Sequence, residues 1–237
     1  MTLCHQRKTI GLGLSILFAA GCCSLGGCQD GPLYALKAAN PWFAMKEWRE
    51  DEAFGVTDHQ RREQLTQLAN SIDELSAERQ QFWAGQLRQI MENDQSPEMR
   101  RLAILASGKM SSATEAVPLI EMGLDDDSMK VRMEACRALG RIDDAQSSQM
   151  LAATYGSETN QDVRHAAIES LSQHKNPTSV NSLRLALDDR NPATRDLTMQ
   201  SLRDVTGKDL GGDAEAWIAE LEKGSTDTLG VTDSLMR

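Results

Sequence analysis

The stretch SPEMRRLAILAS, residues 96–107, returns three times along the chain in altered form. The later copies are SMKVRMEACRAL at 128–139, NQDVRHAAIESL at 160–171 and NPATRDLTMQSL at 191–202. Each copy starts with Ser or Asn, which favour a helix N-cap, and two copies continue with Pro at the first helical position. The copies, spaced 32, 32 and 31 residues apart, therefore predict four helices in register.

Apolar residues fill the same columns in every copy, and a second apolar stripe precedes each one. A helix packs one stripe of its surface against neighbours, and a short hairpin of two helices cannot bury that stripe alone. The sequence thus predicts an all-α fold, an α-solenoid of about four stacked antiparallel hairpins. We expect helices at 77–92 with 97–108, 113–124 with 129–141, 146–155 with 161–173, and 177–187 with 192–205.

The residues flanking the repeats predict the other divisions of the chain. Residues 59–72 place Leu65, Leu68 and Ile72 on one face, which indicates an N-terminal capping helix within 58–76. Glycines after the last repeat and a short apolar helix indicate a C-terminal cap, so the repeat domain is expected at 77–223. Residues 224–237 are rich in Gly, Ser, Thr and Asp and are predicted to be a flexible tail.

The first residues have the pattern of an export signal. Arg7 and Lys8 precede an uncharged, largely apolar stretch that ends in Leu25-Gly26-Gly27-Cys28. This pattern resembles a bacterial lipobox and predicts a signal peptide at 1–27 with a lipid on Cys28; Cys22 is the alternative site, and an uncleaved membrane anchor is the other interpretation. Cleavage before Cys28 removes two cations and no carboxylate, which takes the net charge from −10 to −12.

Over about residues 77–205, the repeated part of the chain resembles the HEAT-repeat family. The resemblance is to the short bacterial form of the repeat, which bilin lyases also use. The resemblance rests on an acidic residue six positions before the Arg of each second helix. It implies a ladder in which each turn acid pairs with the Arg of its own unit, because an Arg within an apolar stripe needs a carboxylate partner. The expected pairs are Asp94 with Arg100, Asp126 with Arg132, Glu158 with Arg164, and Asp189 with Arg195.

Composition and motifs argue against most chemistry. The net charge of −10 and the lack of a basic run past residue 8 argue against nucleic-acid binding. No His has a second His or Cys at metal-ligand spacing, so no metal site is predicted. Cys136 falls in a core column and has no His nearby to act as a base, so no catalytic residue is predicted. We expect no cofactor and no small-molecule substrate.

Enzymes of similar architecture supply the alternative. Deoxyhypusine hydroxylase holds iron through His-Glu pairs, and this chain contains no His-Glu dipeptide. Bilin lyases act on an intracellular acceptor, which suits an exported protein poorly. An accessory enzyme of either type remains the alternative to a scaffold, as does a purely structural envelope component.

The resemblance places the second helices on the concave side of the solenoid, where partner proteins bind. Positions one, two and five after each Arg are expected to be exposed there, with an apolar and basic first half and an acidic last half. We therefore predict a lipid-anchored envelope protein, a monomer, that binds unidentified proteins through this face. Its predicted members are Arg101, Leu102, Leu105, Met133, Arg137, His165, Glu169, Asp196 and Gln200.

Aromatic residues crowd into the segment 28–57. Trp42, Phe43 and Trp48 either pack on the first hairpin and seal the open end of the array, or anchor a partner near the membrane. Both interpretations follow from the same crowding.

Overall fold

A computed structural model describes the backbone of residues 57–233 and the side chains of residues 57–223. The described residues contain ten α-helices and no strand. A short 3-10 helix, Ile72–Glu74, follows the first of them. The helices are α1 Asp58–Ser71, α2 Ala77–Asn93, α3 Pro97–Ser107, α4 Ala113–Leu124, α5 Met129–Arg141, α6 Ala145–Ser157, α7 Gln161–Leu171, α8 Pro177–Ala186, α9 Pro192–Thr206 and α10 Ala214–Asp233.

The predicted hairpins are confirmed as an all-α solenoid. The pairs α2–α3, α4–α5, α6–α7 and α8–α9 lie within a few residues of the expected ranges. The four second helices do begin after Ser96, Ser128, Asn160 and Asn191, but only the two Asn side chains accept hydrogen bonds from the first-turn amides. For the two Ser residues the backbone position was correct, and no side-chain cap forms.

The core runs through the array as the columns predicted. Three and four positions after each repeated Arg, the side chains are buried in all four units, and Cys136 occupies its column fully enclosed. The first helices contribute Leu87, Leu119, Leu151 and Leu183, each with no exposed surface. Each such leucine contributes about 1.5–3 kcal/mol by leaving water. The stacking of the units therefore stabilises what no hairpin could stabilise alone.

The row of second helices is packed on three sides. Each second helix contacts its own first helix and the second helices before and after it, and α1 stacks on α3 as one further member of the row. Successive second helices contact one another more extensively than successive first helices do. The second helices therefore form the more closely packed of the two rows over most of the array.

This packing overturns one predicted exposure. Leu102 was expected on the open surface but is only 3% exposed. Its position, two residues after the repeated Arg, also places Glu134 and Ala166 out of solvent. A helical wheel drawn for one hairpin misses this burial, because the covering surface comes from a neighbouring second helix.

The C-terminal end is closed by a glycine turn and α10. Gly207 ends α9 with a φ of +70°, in the left-handed region that a residue without a Cβ enters at least cost. Trp217 of α10 is fully buried, and its indole Nε1 donates to the Gly211 carbonyl at 3.2 Å. The tail predicted at 224–237 is wrong in part, since α10 continues to Asp233. Isolated glycines weaken a helix without ending it, and no Pro interrupts this segment.

The predicted signal peptide, Cys28, Cys22 and the aromatic residues Trp42, Phe43 and Trp48 lie outside the described residues. Within the described part of the chain, no helix combines the length and apolarity that crossing a membrane requires.

Candidate functional site

The turn between the helices of each hairpin is closed by its acidic residue. In all four turns, one carboxylate oxygen accepts a hydrogen bond from the backbone amide two residues later, at 2.8–2.9 Å. The amide belongs in each case to the N-cap residue of the second helix. The repeated acid therefore orients the chain as it enters that helix, using a donor that the helix itself cannot satisfy.

The second carboxylate oxygen binds an Arg from the preceding unit, so the predicted pairing is wrong. Arg100 donates through Nε and Nη2 to Asp126 at 2.6 and 2.9 Å, and Arg132 donates through Nε to Glu158 at 2.7 Å. Arg164 donates to Asp189 Oδ2 through Nη2 instead, at 2.5 Å. The own-turn acid instead offers its backbone carbonyl, which accepts from Nη1 of Arg100 at 2.8 Å and of Arg132 at 2.7 Å. The guanidinium groups of Arg100 and Arg132 thus each join two successive turns.

The ladder extends one step further than the sequence predicted. Arg61 of α1 binds the Asp94 carboxylate, which makes α1 the first member of the series. At the other end, Arg195 donates to the carbonyls of Asp189 and Arg190 at 2.9 and 3.3 Å, and no described carboxylate pairs with it. The spacing from Arg61 to Arg100 exceeds the repeat length, so periodicity could not find Arg61.

Tyr155 is a second member that sequence reasoning missed. Its hydroxyl accepts from Arg164 Nη2 at 3.1 Å and donates to Asp189 Oδ2 at 3.2 Å. The guanidinium carbon of Arg164 lies 4.8 Å from the centre of the Tyr155 ring, within the range of a cation–π contact. The aromatic ring therefore packs against the fourth rung of the ladder, the pair of Arg164 and Asp189.

The ladder keeps its carboxylates ionised. Burial alone would raise the pKa of Asp126, but the hydrogen bonds from Arg100 and the Ser128 amide, with the nearby guanidinium charges, outweigh burial and lower that pKa. The pKa of Glu158 and the pKa of Asp189 are lowered by the same balance, with Arg132 and Arg164 as the respective partners. These residues are fully paired and have a structural role.

The open side of the second helices is a different surface, which we call the open face. It is defined relative to one Arg on each helix of the row: Arg61 of α1, Arg100 of α3, Arg132 of α5, Arg164 of α7 and Arg195 of α9. The open face consists of the residues two positions before each of these, and one, five and nine positions after it. Of the predicted members, Arg137, Glu169, Asp196 and Gln200 are exposed, while Arg101, Leu105, Met133 and His165 are half-buried. The structure therefore brings eight of the nine predicted residues to one face, and Leu102 is the one it does not.

Charge divides the open face into two halves. In the first half, on α1, α3 and α5, the face carries six cations and one carboxylate, Glu98. In the second half, on α7 and α9, it carries four carboxylates and neither Lys nor Arg. The cations are Arg62, Arg101, Lys109, Lys130, Arg137 and Arg141, and the carboxylates of the second half are Asp162, Glu169, Asp196 and Asp204.

A buried carboxylate organises the basic half. Glu134, only 5% exposed, accepts from Arg141 Nη2 at 3.0 Å and lies 3.6 Å from Arg101 Nη1. Arg101 also binds Glu98 through two hydrogen bonds of 3.0 and 2.8 Å. These contacts hold Arg101 and Arg141 in place across α3 and α5, whereas Lys130 and Arg137 have no ion-pair partner among the described residues.

A cavity of about 790 Å³ lies where the two halves meet. Arg137 and Arg141 of α5 line it, together with Glu169 of α7 and Gln173 in the turn after α7. Arg137 and Glu169 occupy equivalent positions on adjacent helices, yet no ion pair within 4.0 Å joins them. The charges of both residues are therefore available to a bound group.

The remaining chemistry-bearing residues are structural. Burial raises the pKa of the Cys136 thiol to about 12, which leaves it unreactive at neutral pH. His165 was predicted to face solvent but is half-buried, and its Nε2 lies 2.9 Å from the buried hydroxyl of Thr194. His174, in the turn after α7, is buried and donates from Nε2 to the Leu139 carbonyl at 3.1 Å. Within residues 57–223, no group of three His, Cys, Asp or Glu side chains is arranged to hold a metal ion.

Comparison with known families agrees with the architecture. Residues 85–172 match the family model of HEAT repeats. This part of the chain consists of HEAT repeats. A solved structure of human deoxyhypusine hydroxylase in complex with glycerol is similar to the chain at 25% sequence identity and a TM-score of 0.48, over 53% of this chain and 44% of that one. This chain therefore spans less than half the length of that enzyme, and no curated protein matches the sequence.

Proposed function

We propose that these HEAT repeats are a non-catalytic scaffold that binds other proteins through the open face. The observation that carries the proposal is the contrast between the columns of the repeat. The ladder positions and most core positions keep one kind of residue from unit to unit, whereas most open-face positions change charge or size between units. Stacking alone requires only the first group, so the second group is free to recognise a partner.

The same surface supports recognition by its mixed character. Half-buried Leu105 and Met133 supply apolar area beside the unpaired cations Lys130 and Arg137. Protein interfaces combine an apolar centre with charged groups around it, and Met and Arg are enriched in them. Such a face suits a protein partner better than a small molecule, because its charges are spread along several helices.

The direct test is site-specific photocrosslinking in cells. A photoreactive amino acid placed at Arg137, Glu169 or Gln200 is expected to capture a defined partner, which mass spectrometry then identifies. The matched controls Gln89, Glu121 and Asn181 are equally exposed but lie on first helices. Capture of the same proteins from both sets, or of none from the open face, would contradict the proposal.

We further propose that the scaffold is anchored in the cell envelope through a lipid on Cys28. The support is the lipobox-like sequence that ends at this residue. Mass spectrometry of the purified protein is expected to show a diacylglyceryl group on Cys28 and loss of residues 1–27. A lipid on Cys22, or an intact N-terminus, would correct the site or replace cleavage by an uncleaved anchor.

An enzymatic role makes different demands. An iron-dependent hydroxylase would retain iron on purification, and a bilin lyase would bind a pigment with visible absorbance. A non-catalytic scaffold is expected to be free of both, so bound iron or visible absorbance in the purified protein would overturn that part of the proposal.

The aromatic segment has two proposed roles that one pair of variants separates. Replacing Trp42 and Trp48 by Ala lowers the melting temperature if the segment seals the array. The same variants lose partner capture at an unchanged melting temperature if the segment docks a partner.

A further inference from the structure

The two halves of the open face define the chemistry of the segment that it binds. We infer that the partner contributes an extended polypeptide with a block of acidic residues next to a block of basic residues. This inference rests on the proposed scaffold function and names the occupant of its binding face. The acidic block lies against α3 and α5, and the basic block lies against α7 and α9.

The argument starts from which charges are already used. In the basic half, Arg101 and Arg141 are occupied in part by Glu98 and Glu134. Lys130 and Arg137 are exposed and lack an ion-pair partner among the described side chains. Because no described carboxylate lies within 4.0 Å of either cation, a partner's carboxylate can pair with them at little cost of broken contacts.

The acidic half has the same property with the opposite sign. Asp162, Glu169 and Asp196 are exposed, and no described cation lies within 4.0 Å of their carboxylates. Lys175, in the turn after α7, also lines the cavity but makes no ion pair with Glu169 within 4.0 Å. A uniformly acidic partner would thus be attracted to one half and repelled by the other, which favours a segment whose charge changes sign.

Geometry sets the length of that segment. Neighbouring packed helices lie about 8–10 Å apart, so the distance from α3 to α9 is about 25–30 Å. An extended chain covers that distance with about eight or nine residues. The sign change falls at the α5–α7 cavity, whose volume of about 790 Å³ gives room for side chains at the junction.

An extended segment can lie across the row of second helices, which are packed side by side, and meet both halves of the open face. The charge pattern by itself would also suit an antiparallel pair of copies, so self-association is measured as a competing outcome.

The test uses two labelled peptides of about ten residues and identical composition. One has glutamates in its first half and lysines in its second half, and the other alternates the two. Fluorescence anisotropy with the detergent-solubilised full chain is expected to show about tenfold tighter binding of the block peptide at low salt, a preference that shrinks as the salt is raised to physiological strength. Equal binding of the two peptides would overturn the inference.

The variant Lys130→Glu with Arg137→Glu is expected to abolish the preference for the block peptide. Its control, Arg79→Glu with Arg88→Glu, makes the same change of net charge at exposed positions of α2, outside the open face. Equal loss in both would mean that only net charge matters and would overturn the inference. Self-association is measured by sedimentation at low salt. If the chain self-associates and the open-face variant does not, a second copy is the occupant and the inference is overturned.

The outcome is separable from that of the proposed function. Successful crosslinking at Arg137 and Glu169 with no preference for the block peptide would leave the scaffold standing and remove the charge-block inference. Failure of both experiments would remove both.

Discussion

The Arg–carboxylate ladder and the open face are built on the same row of second helices with the same period. The ladder repeats its residue types from unit to unit, and the open face does not. In the ladder, Arg61, Arg100, Arg132 and Arg164 each bind a carboxylate of the next unit. Along the open face, the equivalent column reads Leu105, Arg137, Glu169 and Gln200. The difference teaches that repetition marks positions whose partner lies within the array, and variation marks positions whose partner does not.

The largest expected effect comes from breaking an internal rung of the ladder. Arg132→Ala leaves the Glu158 carboxylate, which is 10% exposed, without its cation. Losing one partner of such a pair costs about 3 kcal/mol of unfolding free energy. Arg195→Ala is the matched control, because it removes only hydrogen bonds to two turn carbonyls and should cost about 1 kcal/mol. Urea unfolding of both variants measures the difference; equal losses would show that the ladder does not act through its carboxylates.

A somewhat smaller effect is expected where two second helices approach most closely. A Cβ added at Gly108 would lie 2.6 Å from the Ala138 Cβ, so Gly108→Ala must separate α3 from α5 and should cost about 1–3 kcal/mol. Gly85 in α2 has open space around it, and Gly85→Ala should be neutral or stabilise by up to about 1 kcal/mol. Thermal unfolding distinguishes the two, and a stable Gly108→Ala protein would contradict the close stacking of the second-helix row.

His174 makes the interior sensitive to mild acid. Burial lowers its pKa, although the Leu139 carbonyl and the charges of Asp143 and Asp144 act in the opposite direction. A histidine with a lowered folded-state pKa binds its proton more readily when unfolded. The unfolding free energy should therefore fall as the pH drops below about 6.5, the ordinary histidine pKa, and level off only below the folded-state pKa.

The ladder should respond at lower pH. Asp126, Glu158 and Asp189 have lowered folded-state pKa values, so their contribution is present above the ordinary carboxyl pKa of about 4 and is lost as the pH falls through the folded-state values. Urea midpoints between pH 7 and 5 therefore isolate His174. We expect His174→Gln to flatten the dependence in this range. Persistence of the slope in His174→Gln would assign it to another group.

The sequence was sufficient for the hairpins because their signals are local. An N-cap residue, a Pro and a four-residue apolar spacing lie within one helix, and the core columns repeat them in each unit. The ladder pairing was not local in this sense. Asp126 stands 6 residues before Arg132 and 26 residues after Arg100, and spacing along the chain favours the nearer Arg. Only the stacking of units shows that the nearer Arg takes the backbone carbonyl and the farther one takes the carboxylate.

The open face was predicted with one error of the same origin. Leu102 lies opposite the core stripe on a helical wheel, but in the array that direction meets another second helix. The division of charge between the halves could be predicted from the sequence, because a charged residue on the exposed side of a helix stays exposed without any contact to another unit. The buried position of Glu134 was not, since a carboxylate enters the interior only where Arg101 and Arg141 converge from two helices and satisfy it.

The smallest expected effect on stability belongs to the residues proposed to bind. Arg137 and Glu169 are exposed and make no ion pair among the described residues, so Arg137→Ala and Glu169→Ala should each change the unfolding free energy by less than about 0.5 kcal/mol. Urea unfolding beside Arg132→Ala tests this on the same helix row. If Arg137→Ala were as destabilising as Arg132→Ala, the open face would share the structural role of the ladder, and its variation from unit to unit could no longer be explained by a partner outside the array.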